Sequence, residues 1–430
     1  MFRKFLRCSL FYGCVSVVTA CSSSGGSDDA QGGNGGGEAG QGGEPAAGGK
    51  GGDPASGGSG GKNQGGSGGA SGGGMAGSAP LPANADFGLD TRPANTTCKD
   101  PGRPTGAAND PFPKKLSATG CFDATDPRKP APGLIPYGVA SPLWSDNAEK
   151  HRWMALPEGK KVRFTTNGDF DFPNGTVLLK SFALDGVMLE TRFLIRHSDG
   201  MWGAYTYKWD DAGKDAELLG EGSDSRFLGD NEWTFPSRTN CATCHTEAAG
   251  RSLGPDTLQF NGLFDYPMGK RANQLKTLDH IGVFETAPGD LAKLPALPTP
   301  VYTVGATLEQ RARSYLHANC SHCHQPGGTI DPRTNMDAVS LDFRYDTPFK
   351  MMGICNVVPS KNDYGYQNIK LLTPGDSTVG QFGELTHSMI SVRMHSKVSN
   401  VRMPQIGTAV PDPLGTQLID EWIQSIKACP

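Results

Sequence analysis

Residues 241–245 read Cys-Ala-Thr-Cys-His and residues 320–324 read Cys-Ser-His-Cys-His, and these two stretches decide the organisation of the chain. Each has the spacing C-x-x-C-H. Two thiols three positions apart lie on one side of a helical turn, and the imidazole follows directly. This is the attachment pattern of haem c, in which both thiols form thioethers with the vinyl groups and the histidine ligates the iron. The sequence therefore predicts two covalently bound haem c groups, held by Cys241, Cys244 and His245 and by Cys320, Cys323 and His324.

A zinc site and a disulfide oxidoreductase are the alternatives to haem attachment. Two C-x-x-C pairs hold zinc when they converge on one ion, and the four motif cysteines could converge in that way. Neither alternative explains why a histidine directly follows each pair. We therefore favour two haems, with His245 and His324 as the proximal iron ligands.

The first 21 residues have the composition of an export signal. Three basic residues within the first seven positions precede an apolar stretch at 10–18 that is too short to span a bilayer. The stretch ends in Val-Thr-Ala-Cys at 18–21, which resembles the lipobox of bacterial lipoproteins. This resemblance implies a lipoprotein signal peptide over 1–21 and acylation of Cys21, and an ordinary secretory signal is the alternative. Either signal predicts a location in the bacterial cell envelope, in the periplasm or at the cell surface, and the lipobox adds a lipid anchor in the outer membrane.

Residues 22–80 are rich in glycine and contain almost no apolar side chains. Such a segment buries too little surface to offset the entropy of ordering it, so we predict a disordered linker. No later stretch approaches the ~20 consecutive apolar residues of a membrane-spanning helix. The predicted membrane contact is therefore the lipid anchor alone.

Four cysteines remain for disulfides once the leader, Cys21 and the haem motifs are set aside, and they are Cys98, Cys121, Cys355 and Cys429. An even remainder in an oxidising compartment predicts two disulfides, for which three connectivities exist. We favour Cys98–Cys121, because both residues lie in one short segment at 81–130. The second pair, Cys355–Cys429, would then tie a loop to the end of the last helix.

Residues 131–235 have the pattern of a β-domain. Runs of β-branched and aromatic residues at 161–164, 176–182, 189–196 and 202–209 are separated by turn sequences such as Ser-Asp-Gly at 198–200. Several short strands at this spacing predict an antiparallel β-sandwich of the jelly-roll type. The two histidines of this domain, His151 and His197, are interpreted as structural.

From residue 236 onward the pattern is helical. A predicted helix at 306–319 leads into the second C-x-x-C-H motif, and an amphipathic helix at 412–427 contains Trp422. Met403-Pro404 lies between them. This order resembles that of a class I cytochrome c, which implies that fold for 301–430 and implies Met403 as the distal ligand of the second haem. The competing ligands are His387, Met389, Met394 and His395.

The first haem segment, 236–300, offers two candidate distal ligands. Met268 lies in a Tyr-Pro-Met-Gly turn, and His280 closes a predicted helix at 271–280. We favour His280, and an open sixth position is the third alternative. His317 and His322, which flank the second motif or lie inside it, are interpreted as bystanders.

Short strings elsewhere extend the resemblance. They read Ser-Pro-Leu-Trp-Ser-Asp at 141–146, Phe-Pro-Asn-Gly-Thr at 172–176, Trp-Thr-Phe-Pro-Ser-Arg at 233–238, Ala-Gly-Arg-Ser-Leu-Gly at 249–254 and Ala-Asn-Gln-Leu at 272–275. With these strings, residues 130–430 resemble a family of bacterial di-haem c-type cytochromes. The resemblance implies an α+β multidomain chain, with an antiparallel β-sandwich followed by mainly α-helical cytochrome c haem domains, and it implies electron transfer.

These observations predict an exported electron carrier without catalytic residues, working between redox protein partners that the sequence does not identify. One alternative is an oxidoreductase of the di-haem peroxidase type, with one open haem. The other is a binding module in the β-domain, with the cytochrome as its electron outlet. The formal net charge of −4 comes without a basic stripe, so nucleic acid is not an expected partner.

Overall fold

The computed structural model describes residues 83–106, 109–301, 304–331, 340–360, 364–377 and 388–430. The predicted signal peptide with Cys21, the glycine-rich linker and the candidate ligand His387 lie outside the described residues. The strands are β1 (Ala83–Asn84), β2 (Ile135–Pro136), β3 (Glu149–Ala155), β4 (Thr176–Leu184), β5 (Val187–Arg196), β6 (Trp202–Trp209), β7 (Ala216–Leu218), β8 (Asp224–Leu228), β9 (Asn231–Phe235), β10 (Leu263–Tyr266) and β11 (Lys270–Asn273). The helices are α1 (Arg238–Cys244), α2 (Thr257–Phe260), α3 (Gln274–His280), α4 (Leu308–Cys320), α5 (Met389–His395) and α6 (Pro413–Ser425).

A six-stranded antiparallel sheet, β2 to β7, forms the centre of the β region. The strands at 176–182, 189–196 and 202–209 are confirmed, and the turn between β4 and β5 has left-handed backbone at Asp185 (φ 50°) and Gly186 (φ 79°). Positive φ at both central residues is typical of a type I′ turn, whose backbone twist matches that of the two strands it joins. Strands therefore follow one another in the sheet as they do along the chain.

The predicted jelly-roll sandwich is wrong, although the α+β class is confirmed. A jelly roll needs two sheets joined by Greek-key crossovers, whereas the six strands here form one meander. The hairpin of β8 and β9 is a separate two-stranded sheet. The predicted strand at 161–164 forms only isolated bridges, from Val162 to Phe284 and from Arg163 to Asp171, because its two residues pair with different parts of the chain.

One face of the meander is covered by the segment before it. Alternating residues of β4, β5 and β6, such as Leu179, Phe193 and Tyr205, pack with Leu116 in one buried core. The disulfide Cys98–Cys121 is confirmed and lies in the same core. The segment at 81–130 is therefore part of the β-domain.

The opposite face of the meander, which we call the cavity face, is covered by the chain around α2 and α3. Leu178 and Leu194 pack there against Phe260 and Leu275. The helix predicted at 271–280 begins at Gln274, because residues 270–273 form β11 beside β10. The cavity face also carries three basic side chains, Arg152, Lys180 and Arg192.

Helices α4, α5 and α6 form the core of the C-terminal region. Leu316, Ile419 and Trp422 are buried together, and Cys320 packs against them. Thr307 caps α4, with its side chain accepting from Gln310 N. The second predicted disulfide, Cys355–Cys429, is confirmed. Loops and a short 3₁₀ helix, Phe349–Met351, make up the remainder of the described C-terminal residues. The class I cytochrome c fold for 301–430 stays a prediction.

The stretch at 141–146 joins the β-domain to the C-terminal region. Trp144 N donates to Asn319 Oδ1 (2.7 Å), and Trp144 Nε1 donates to the carbonyl of Val410 (2.9 Å). The Asp146 carboxylate accepts from the backbone N–H of Ala409 (2.8 Å) and of Val410 (3.0 Å). The most distinctive string of the sequence is thus an interdomain contact. Across the described ranges, no helix is long and apolar enough to cross a membrane.

Candidate haem sites

The two C-x-x-C-H motifs lie at the C-terminal ends of capped helices, the first in α1 and the second at the end of α4. Ser237 and Asn240 form a capping box at the start of α1, so that Cys241 and Cys244 lie on its last turn. Cys320 ends α4, and Cys323 N donates to the carbonyl of Cys320 (3.1 Å) in the turn that follows. Each pair of thiols is therefore held on a helical turn, as thioether attachment requires.

The structure brings the two motifs into contact. The sulfurs of Cys244 and Cys323 and a ring nitrogen of His322 all lie within 4.8 Å of one another. The Cys244 thiol donates to Cys323, which lowers the pKa of Cys323. Thr329 Oγ1 donates to the Thr243 carbonyl beside them. Sequence reasoning did not predict this contact, because nothing in the spacing of the motifs encodes it.

The four motif cysteines do not converge as a zinc site would require. Cys244 and Cys323 lie close enough to bind one ion together with His322, but Cys241 and Cys320 do not belong to this cluster. All four thiols are free of disulfides. A tetrathiolate arrangement is therefore absent from these four residues, although Cys244, Cys323 and His322 together form a three-ligand group that could hold a metal ion.

His245 has the orientation expected of a proximal iron ligand. Its Nδ1 lies 2.5 Å from the carbonyl oxygen of Arg251. An Nδ1–H that donates to a carbonyl leaves the lone pair of Nε2 free, and metal-bound histidines are commonly held in this way. Gly250 (φ 67°) turns the chain back to present that carbonyl, and a Cβ there would lie 1.8 Å from Asp169 Cγ. The Ala-Gly-Arg string thus positions the histidine.

His324 lacks a protein partner for one ring nitrogen. Its Nδ1 is buried and has no hydrogen bond, and its ring meets Phe343 edge to face at 5.5 Å. Burial lowers the pKa of His324 to about 4, so the ring is neutral at pH 7. The Nδ1 of His324 thus lacks the carbonyl partner that orients His245, so the structure supports a proximal role for His245 and adds no such support for His324.

A cavity of about 400 Å³ adjoins the first motif. Cys241, Cys244 and His245 line it on one side and the cavity face of the meander on the other. Leu178, Leu194 and Ala204 make part of that wall apolar, and the loop at 404–407 closes a third side with Pro404, Ile406 and Gly407. Residues from three distant parts of the sequence therefore enclose one site.

The structure does not bring the two favoured distal ligands of the first haem to this cavity. The Met268 side chain is 94% exposed, in a turn with positive φ. His280 is exposed at the end of α3 and stacks on Phe87, with ring centroids 3.6 Å apart. Neither lines the cavity with His245, so their ligand roles gain no support.

The two histidines that were interpreted as bystanders, His317 and His322, line this cavity. His317 Nδ1 accepts from the Tyr345 backbone N–H (3.2 Å), and burial lowers the pKa of His317 to about 4. A neutral ring whose Nδ1 accepts must carry its proton on Nε2, so it can donate a hydrogen bond but cannot ligate iron in this state. The helical pattern of α4 did not predict that His317 lines the cavity, because its location there depends on tertiary contacts.

Among the candidate distal ligands of the second haem, Met403 is the one that other contacts leave available. Met389 and Met394 are buried in hydrophobic clusters, and His395 Nε2 lies 2.7 Å from Asp420 Oδ2. Met403 is half-buried, and its backbone N–H donates to the Arg393 carbonyl (3.0 Å). The fifth candidate, His387, is outside the described residues.

Two acidic side chains, Asp169 and Asp256, also line the cavity, and burial raises the pKa of both. Asp256 caps α2 by accepting from Gln259 N (2.7 Å), and its pKa is raised from 3.8 to about 8. The folded chain therefore holds a proton there between about pH 4 and pH 8 that the unfolded chain releases. Its contribution to stability is complete below pH 4 and is lost as the pH rises through 8.

We expect Asp256→Asn to keep the helix cap and to remove this pH dependence. Between pH 5 and pH 7, the free energy of unfolding of the wild type relative to the variant should fall by about 1.4 kcal/mol per pH unit. Urea unfolding at several pH values measures this difference. Asp290→Asn, which alters an exposed cap, is the control and should show no such slope. Parallel pH profiles for wild type and Asp256→Asn would contradict the raised pKa.

Comparison with known proteins gives no relative for this chain: no family model, no curated protein and no solved structure matches it.

Proposed function

We propose that this chain is an exported di-haem c-type cytochrome that transfers electrons between redox proteins at the bacterial cell envelope. The observation that carries the proposal is the contact between the motifs, in which Cys244 and Cys323 lie within 4.8 Å. Haems attached at two cysteines this close together would lie near each other, so that electrons could pass from one haem to the other within the same chain. Export and acylation at Cys21 are proposed from the sequence alone.

The residues of the chain have separate tasks in this proposal. Cys241 and Cys244, and Cys320 and Cys323, would form the thioethers. The Arg251 carbonyl orients His245, and the edge of Phe343 packs against the ring of His324. When bound, haem c supplies an iron that accepts and releases one electron at a time.

The β-domain supports this function by building a wall of the first site. Both faces of the meander are occupied where they are described, one by the segment at 98–134 and the other by the chain around α2, α3 and the cavity. The sheet therefore offers little free surface as a separate binding module. Its aromatic residues belong to the core, as Phe193, Tyr205 and Tyr207 show.

Met403 is proposed to close the sixth position of the second iron. We expect Met403→Ala to remove the weak charge-transfer band that a methionine–iron bond gives at the red end of the visible spectrum. The potential of that haem should fall, because a thioether favours the ferrous state. Spectra and redox titration measure both changes. Met351→Ala, in an exposed methionine, is the control. A band that persists in Met403→Ala would assign the ligand to Met389 or Met394.

A peroxidase-like enzyme is the second candidate, and one observation favours it. Neither Met268 nor His280 lines the cavity beside His245, and the neutral His317 has its Nε2 protonated. His322 also lines the cavity, and its ring nitrogen lies within 4.8 Å of the Cys244 and Cys323 sulfurs. If His322 keeps these contacts, the sixth position of the first iron would be open to a small oxidant.

Haem counting and electron paramagnetic resonance on the oxidised protein decide between these functions. The carrier predicts two haems per chain, retained after acid–acetone extraction, and two low-spin signals. One high-spin signal would favour the enzyme. Bound zinc without extraction-resistant haem would overturn both.

A further inference from the structure

The cavity face of the meander carries a row of three basic residues. Arg152 of β3 is directly opposite Lys180 of β4, and Lys180 is directly opposite Arg192 of β5. The next position in the row, on β6, is Thr206. Cross-strand neighbours lie about 5 Å apart and like charges so placed are destabilising, so the row has a cost that needs an explanation.

One buried acid partly balances the row. Arg192 Nε donates to Glu190 (3.0 Å), whose side chain is fully buried. In the described part of the chain, neither Arg152 nor Lys180 forms an ion pair; Arg152 contacts the Lys150 carbonyl at 3.5 Å, and Lys180 Nζ lies 4.9 Å from the Phe182 ring. Two of the three basic side chains therefore have no ion-pair partner among the described residues.

The row faces the first haem motif. Arg152, Lys180 and Arg192 all line the cavity that contains Cys241, Cys244 and His245. The row and the first motif therefore share one enclosed space. Burial and the neighbouring cations hold the pKa of Lys180 well below its ordinary value. A pair of anionic groups in the cavity would relieve this repulsion and restore the charge on Lys180.

We propose that Arg152, Lys180 and Arg192 bind the two propionate carboxylates of the haem attached at Cys241 and Cys244. The number of groups fits, because two basic side chains without ion-pair partners would meet two carboxylates. The geometry also fits, because an arginine guanidinium donates two parallel hydrogen bonds to a carboxylate. Covalent attachment keeps those carboxylates at one place, so a fixed row on a sheet suits them better than a diffusing anion. This inference rests on the proposed function.

The test replaces Lys180 by methionine in the full haem-loaded chain. Loss of the cation should lower the equilibrium constant for reduction of the first haem about tenfold, which is 59 mV for a one-electron couple. The propionate bending band in the resonance Raman spectrum should also shift, and Lys180→Arg should restore both values. Lys208→Met is the matched control, because Lys208 lies on the same sheet but pairs with Asp224 (2.5 Å).

The outcomes separate this inference from the proposed function. A haem count of two with potential and propionate band unchanged in Lys180→Met and in Arg152→Met would overturn the inference alone. Absence of haem from Cys241 and Cys244 in the wild type would overturn the proposed function and the inference with it. If added acetate or nitrite perturbs the first haem in the wild type and not in Lys180→Met, the row binds a free anion and the propionate assignment is wrong. Should Lys180→Met fail to fold, Arg152→Gln, which also removes a cation from the row, takes its place with the same expected fall in potential and shift of the propionate band.

Discussion

Changing Cys241 and Cys244 together to alanine is expected to leave one covalently bound haem per chain in place of two. The haem of the first motif is attached through both thiols, and the capping box at the start of α1 stabilises the helical turn that carries them. The pyridine haemochrome absorbance after acid–acetone extraction should therefore fall to half of the wild-type value. The reciprocal variant, Cys320→Ala with Cys323→Ala, should show the same loss for the second group.

The matched control for these variants changes cysteines that have another role. Cys98→Ala with Cys121→Ala removes a disulfide in the covered core of the meander and should keep two haems per chain. Since Cys244 and Cys323 are in contact, we also expect each haem-motif variant to shift the spectrum of the group that remains. An unchanged count of two in the first variant would rule out attachment at Cys241 and Cys244.

Gly415→Val is expected to destabilise the C-terminal region by about 3 kcal/mol, through overpacking of a closed core. A Cβ at this position of α6 would lie 2.3 Å from Cζ of Tyr315, whose ring is 5% exposed. Replacing a helical glycine by a residue with a side chain ordinarily stabilises a helix, so the sign is opposite to the helix propensity. Urea unfolding followed by circular dichroism measures the loss.

Two further variants check the origin of this effect. Gly220→Val places a side chain in open space and should change stability by less than about 0.5 kcal/mol. Tyr315→Ala in the Gly415→Val background makes room for the valine, so the double variant should be more stable than the sum of the single changes predicts. Additive changes would mean that the helices α4 and α6 do not meet at this pair.

The sequence predicted those features that depend on neighbouring residues. Strands β4, β5 and β6 were found because alternating apolar residues end at turn-forming sequences, and the disulfides were found by elimination of other cysteines. The order of the strands in the sheet was not predicted. Alternation of apolar and polar residues identifies a strand but does not show which strands lie beside it. The sandwich prediction failed for this reason.

The candidate site was predicted in part for the same physical reason. The motifs identify Cys241, Cys244 and His245 locally, but Met268 and His280 were chosen for their nearness in sequence. The cavity is instead lined by Lys180 of β4 and His317 of α4, which only tertiary packing brings there. The basic row was equally hidden, since Arg152, Lys180 and Arg192 become neighbours through the register of three strands.

The contact made by Trp144 and Asp146 has a consequence for the inheritance of this architecture. A boundary near residue 300 divides the sequence into two haem segments, yet Asp146 holds the backbone of Ala409 and Val410, and the adjoining loop closes the cavity of the first motif. Recombination that replaced the C-terminal segment by another would remove the loop that closes the cavity of the first motif. The two segments are therefore expected to be inherited together and to acquire their haems as one folded body. The spacing of the motifs alone would suggest two independent single-haem modules in tandem.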